Sequence, residues 1–124
     1  MSGPSQRYRV MADWIATYGD PIRLAAGDPL ELTGRTERWD GHLWVWARSR
    51  DGREEWLPDS LVVAGAGGLL QDARAREAYS AAELGCRAGQ VLIGSARVHG
   101  WVWCRGPDGR EGWVPARNLA ALDS

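Results

Sequence analysis

Residues 43–58 read LWVWARSRDGREEWLP and residues 100–115 read GWVWCRGPDGREGWVP. Trp44, Trp46 and Trp56 precede Trp101, Trp103 and Trp113 by 57 positions, and Trp44–Pro58 matches Trp101–Pro115 at ten of fifteen positions without a gap. Self-similarity at one offset marks a duplicated structural unit. The 124 residues therefore read as two modules rather than one domain. Modules of about 60 residues bury only about 60% of their unfolded surface and are marginal alone. Packing of the two modules on each other is the expectation that follows.

The apolar runs are short, and GD, DG, GG and GP pairs interrupt them. Many short strands with frequent turns predict an all-β fold. Leu69–Ala82 is rich in Ala and Arg, yet it reads as strand because its counterpart, Tyr8–Tyr18, alternates like one. Asp51-Gly52 and Asp108-Gly109 stand between alternating apolar runs, which signals hairpins. A three-residue loop with the glycine in a left-handed bulge puts Val45, Ala47 and Leu57 on one face. Trp44, Trp46, Trp56 and Pro58 then share the other. The second copy sorts Val102, Cys104 and Val114 against Trp101, Trp103, Trp113 and Pro115. The aliphatic line is the expected core and the tryptophan line the expected outward face. The run AGAGG at Ala64–Gly68 reads as a linker, taken as 65–68, between modules at 7–64 and 69–122.

Charge and composition exclude several functions. With 15 basic and 16 acidic residues the net charge is −1, which disfavours nucleic acid and anionic membranes as partners. The two cysteines, Cys86 and Cys104, have neither CxxC nor metal-ligand spacing and are expected as buried free thiols. MSGPSQRYRV contains no apolar leader core, and no apolar run approaches ~18 residues, so a cytoplasmic protein is expected. His42 and His99 precede the Trp strands with no nucleophile or carboxylate at recognisable spacing. Without a phosphate loop or metal set, no enzyme activity, cofactor or metal is expected.

The succession of a WxW strand, a DGRE turn, a Trp-aliphatic-Pro strand and a last aliphatic strand resembles Src homology 3 (SH3) domains in their bacterial form. Val10-Met11-Ala12-Asp13-Trp14 stands where such domains carry Ala-Leu-Tyr-Asp-Tyr, and Gly27-Asp28 follows as their Gly-acid turn. Glu83-Leu84-Gly85-Cys86, Gly89-Gln90 and Trp101 to Leu119 repeat the likeness. It implies two SH3-like β-barrels in tandem. It also implies peptide grooves built in the first half from Trp14, Trp44, Pro58 and Leu61, and in the second from Trp101, Pro115 and Asn118. Arg74 and Arg76 then fall at the motif tyrosines of the second half, with Tyr79 leaning in from the adjacent loop. Glu83 is the acid for a ligand arginine there; in the first half Pro21 takes that position, with Asp20 beside it.

An apolar outward face of indoles and proline marks an interaction surface. The expected function is a non-catalytic adaptor or ligand-binding protein, with Trp56 and Trp113 adding to the groove residues. The expected partner is a peptide or protein, and the expected state a monomer or weak homodimer. Two alternatives stand beside this: a unit that binds peptidoglycan of the cell wall, and a structural tandem whose Trp faces fill the junction between the halves.

Overall fold

The computed structural model describes residues 5–16 and 20–122. Its strands are β1 (Gln6–Val10), β2 (Arg23–Leu24), β3 (Pro29–Trp39), β4 (His42–Ser49), β5 (Glu54–Pro58), β6 (Val62–Gly65), β7 (Gly68–Ala75), β8 (Tyr79–Ser80), β9 (Val91–Val98), β10 (Trp101–Arg105), β11 (Glu111–Pro115) and β12 (Leu119–Ala121). Single 3-10 turns at Asp59–Leu61 and Ala116–Asn118 precede β6 and β12. The fold is all-β, as the punctuated apolar pattern predicts. The end of the Tyr8–Tyr18 stretch, 17–19, lies outside the described residues.

The two hairpins form as the glycine bulge requires. Trp46 stands opposite Trp56 and Trp44 opposite Pro58, while Trp103 faces Trp113 and Trp101 faces Pro115. Gly52 and Gly109 take φ of +88° and +86°, the left-handed region open to a residue without Cβ. The aliphatic line is core in both copies. Ala47 and Leu57 belong to one buried cluster with Val45 packed against it, and Val102, Cys104 and Val114 belong to a second.

The division of the chain differs from the expected one. The chain clusters into a central unit, Asp20–Ala81, and a terminal unit made from Met1–Gly19 and Ala82–Ser124. One five-stranded sheet runs β11-β10-β9-β1-β12 and the other β5-β4-β3-β7-β6. The orders are identical, with β7 in the second sheet holding the place of β1 in the first. Each unit thus takes this strand from the other sequence repeat. The expected linker at 65–68 is instead the turn of the β6–β7 hairpin, where Gly65 pairs with Gly68. The chain leaves the terminal unit between Ala16 and Asp20 and returns to it at Ala82. Boundaries at 7–64 and 69–122 would cut both sheets.

Side-chain volume explains which strand goes where. β1 alternates exposed Arg7 and Arg9 with inward Tyr8 and Val10, and β7 alternates exposed Arg74 with buried Ala73 and Ala75. Tyr8 registers with Leu92, and Ala73 with the equivalent Leu30. Two residues further on the same face the terminal unit has Gly94 and the central unit Leu32, opposite Cys104 and Ala47 respectively. A Cβ on Gly94 would lie 2.5 Å from the Tyr8 ring, so the large residue packs on the bare backbone. Small Ala73 accompanies Leu32 in the central core. The opposite assignment would press Tyr8 on Leu32 and leave Ala73 facing Gly94, an overpacked core beside an underpacked one.

A second contrast closes the edge strands. Trp113 N–H donates to Ala82 O at 2.9 Å and Leu84 N–H to Trp113 O at 3.0 Å, so the segment before β9 covers the β11 edge. A Cβ on Gly112 would come within 2.6 Å of that segment's backbone, so only glycine permits the approach. The central unit has Glu55 at this place. Its buried carboxylate accepts the Ile22 N–H at 3.3 Å, replacing a backbone carbonyl with a side-chain one.

Candidate functional site

Exchange of β1 and β7 decides which aromatic rings meet. Beyond β1, Trp14 exchanges backbone hydrogen bonds with Cys86, 2.8 Å in each direction. This fixes its indole edge-on to Trp101, with ring centroids 5.4 Å apart at 78°. Perpendicular rings at this separation are a favoured aromatic geometry. The Trp14 indole N–H donates to Glu83 Oε1 at 3.1 Å. Asn118, in the 3-10 turn, donates its side-chain amide to the carbonyls of Ala12 and Asp13 at 3.5 Å each, and its own carbonyl accepts the Met11 N–H at 2.7 Å. Trp14, Glu83, Trp101, Pro115 and Asn118 therefore belong to the terminal unit, where Trp14, Trp101, Glu83 and Asn118 are half-buried and Pro115 is buried. On its other side Trp14 borders a cleft of about 830 Å³, walled also by Leu84, Cys86, Arg87 and Arg110.

The central unit holds Trp44, Trp56, Pro58, Leu61 and Tyr79. Tyr79 faces Leu24 in the β2–β8 pair, the position that Trp14 holds opposite Cys86 in the terminal unit. Two expectations are corrected here. Trp14 lies in the terminal unit and Trp44 in the central one, and Tyr79 lies in the central unit and Trp101 in the terminal one, because Trp14 and Tyr79 each precede a crossing of the chain between units. The placing of Arg74 and Arg76 at the motif tyrosines is also off by three residues. Val10 brackets the Gly89-Gln90 turn with two backbone hydrogen bonds, and the residue that does so at Gly27-Asp28 is Ala75. The counterparts of Ala12 and Trp14 are therefore Glu77 and Tyr79.

The tryptophan line is less open than parity suggests. Trp44 is 7% exposed and Trp113 8%, with Pro58 and Leu61 buried as well. Trp44 lies against Trp39, at 6.5 Å between centroids, on a β3–β4 hairpin that turns at Asp40-Gly41. Trp56 packs against Trp46 at 5.1 Å and 74°, and Trp113 against Trp103 at 5.2 Å and 74°. In each pair a carboxylate holds one ring: Trp46 Nε1 donates to Glu54 at 3.1 Å and Trp103 Nε1 to Glu111 at 2.9 Å. Trp46 and Trp103 were expected on the outward face but, like these two glutamates, outside the groove set, although their identical spacing in both repeats was the available signal.

The acids divide into engaged and presented. Asp20 is salt-bridged to Arg53 at 2.9 Å. Asp51 accepts the Ser49 hydroxyl and the Arg53 backbone N–H, in that order of effect, which holds its carboxyl below the usual aspartate range. Asp108 is lowered first by the Arg110 backbone N–H at 3.0 Å. These are turn-building carboxylates. Both thiols are buried, and burial pushes Cys104 up to about 12 and Cys86 upward too, so neither is a ready nucleophile. Among the described residues no three His, Cys, Asp or Glu side chains converge as a metal set.

A family model described as a variant SH3 domain matches residues 73–122. No curated protein and no solved structure matches the chain. The matched segment begins in β7, so it is continuous in sequence while its first strand completes the sheet of the central unit. SH3-type domains are in general non-catalytic binding modules for peptides or proteins, and the match supports that coarse reading for this chain.

Proposed function

We propose that the chain is a non-catalytic peptide-binding protein whose groove is the Trp14–Trp101 surface of the terminal unit. What carries the reading is the half-buried perpendicular indole pair with the Glu83 carboxylate on its edge. A proline or aliphatic side chain of an extended peptide fits between such rings, and a peptide arginine is attracted by the acid. Asn118 ties the 3-10 turn to the segment carrying Trp14, which keeps the two sides of the groove in register. The central Trp44 and Leu61 are buried where their counterparts Trp101 and Asn118 are half-buried, so the two repeats do not offer the same site. Their tryptophan has become a packing residue.

The test compares two substitutions while proline-rich, arginine-flanked peptides are titrated and the indole N–H resonances of the eight tryptophans are followed. Trp101→Ala abolishes the peptide response and costs about 2 kcal/mol, less than removal of a fully buried indole. Trp44→Ala lowers stability by about 3–5 kcal/mol, the cost of emptying a buried indole site, and retains binding at low temperature. An unchanged response in Trp101→Ala, or silence of the Trp14 and Trp101 signals with every peptide, overturns the proposal.

A further inference from the structure

In the central unit β3 and β4 pair at Leu32–Ala47 and next at Thr36–Val45. Three residues, Thr33, Gly34 and Arg35, therefore stand opposite Trp46 alone. The corresponding step of β9 runs from Gly94 to Ala96 and leaves only Ser95 unpaired. Gly34 takes φ of +89°, and the Arg35 N–H reaches the Thr33 hydroxyl at 3.3 Å. This wide bulge lifts Arg35 over the tryptophan pair, its guanidinium 5.0 Å from the Trp46 ring and 5.4 Å from the Trp56 ring. Among the described residues no carboxylate forms an ion pair with Arg35; the aromatic faces are what hold it. Glu54, exposed, fixes the Trp46 ring through its Nε1 and adds negative charge at the rim.

We propose that Trp46, Trp56 and Glu54 form a cation-binding site for an arginine side chain of a partner, and that Arg35 is its built-in competitor. Two half-buried rings at right angles offer π-faces to one planar cation. A guanidinium is weakly hydrated and stacks on indole better than a compact ammonium does, so arginine is preferred to lysine. The resident Arg35 is itself the demonstration that a guanidinium fits. Exposed cation–π contacts are weak, so an arginine delivered by a larger interface displaces Arg35 at little cost. The site shares no residue with the Trp14–Trp101 groove and stands whether or not that groove binds peptide.

The experiment titrates acetyl-Gly-Arg-Gly-amide, and its citrulline analogue, into the full chain and into Arg35→Ser, Trp46→Leu and Trp101→Ala variants. The indole resonances of Trp46 and Trp56 report binding. Arg35→Ser binds the arginine peptide about five-fold more tightly than the unaltered chain, the factor that one exposed cation–π contact represents. Citrulline, uncharged and of the same shape, gives no saturable shift; Trp46→Leu loses the response, and Trp101→Ala keeps it. Equal responses to arginine and citrulline, or equal affinity with and without Arg35, overturn the proposal. So does silence of Trp46 and Trp56 in a folded Arg35→Ser variant.

Discussion

Replacing Gly94 with alanine tests the exchange of strands at its most specific contact. The added Cβ would lie 2.5 Å from Tyr8 Cε2, 2.9 Å from Tyr8 Cδ2 and 2.8 Å from Val102 Cγ1. An aromatic ring on a paired strand cannot yield like the end of a flexible chain, so overpacking costs roughly 1–3 kcal/mol. Alanine returns about 0.5–1 kcal/mol through the lower entropy of its unfolded chain. The net expectation is a loss of about 1–2 kcal/mol in urea unfolding. Tyr8→Ala alone removes a half-buried ring and costs about 2 kcal/mol, below the range for fully buried aromatics. In the double variant the new methyl occupies space that the ring vacated. The two losses then fall short of additivity by about 1–2 kcal/mol, well beyond the scatter of independent sites. The matching cycle between Tyr8 and Leu32 is additive, since these residues belong to different units. Additivity at Tyr8–Gly94 together with coupling at Tyr8–Leu32 would refute the reasoning and place β1 in the sheet of β3.

Two further outcomes follow from the same architecture. A fragment spanning Asp20–Ala81 contains every strand of the central sheet and unfolds cooperatively by itself, whereas one cut at 7–64 lacks Ala73 and Ala75 from its core and is measurably less stable by circular dichroism. The reverse ranking would count against the described units. The Cys104 thiol, raised by burial from its ordinary 9.0 to about 12, stays protonated in the folded chain while the unfolded chain ionises. Its contribution is therefore fully present below pH 9.0 and is lost as pH rises towards about 12, at roughly 1.4 kcal/mol per pH unit. Cys104→Ala, the residue that Ala47 represents in the other repeat, flattens this alkaline slope; parallel slopes for the two proteins would exclude the thiol as its cause.

Much of the fold could be read from local pattern. The parity of LWVWARS and GWVWCRG around a DG turn, with one glycine held at positive φ, determined both hairpins, their register and the aliphatic core line. Those are short-range consequences of a period of two and of turn chemistry, which a sequence states directly. The all-β character and the equivalence of the repeats followed from the same features. The candidate site was legible as residue types but not as partnerships. Trp14 and Tyr79 were both found, and each was assigned to the wrong set.

What only tertiary structure decided was the choice between two nearly equivalent sheet edges. β1 and β7 have the same alternation of arginine with apolar residues, so local propensity leaves either strand able to complete either sheet. The choice rests on volumes that meet across more than 80 positions, Tyr8 over Gly94, and on their counterpart, Ala73 beside Leu32. Burial of Trp44 and the lift of Arg35 over Trp46 have the same origin: each depends on how far a neighbouring hairpin or bulge extends, and not on the tryptophan strand itself. A repeated sentence determines a repeated fold. Differences in its non-local neighbours set one copy's Trp101 against Trp14 and cover the other's Trp46–Trp56 pair with its own arginine.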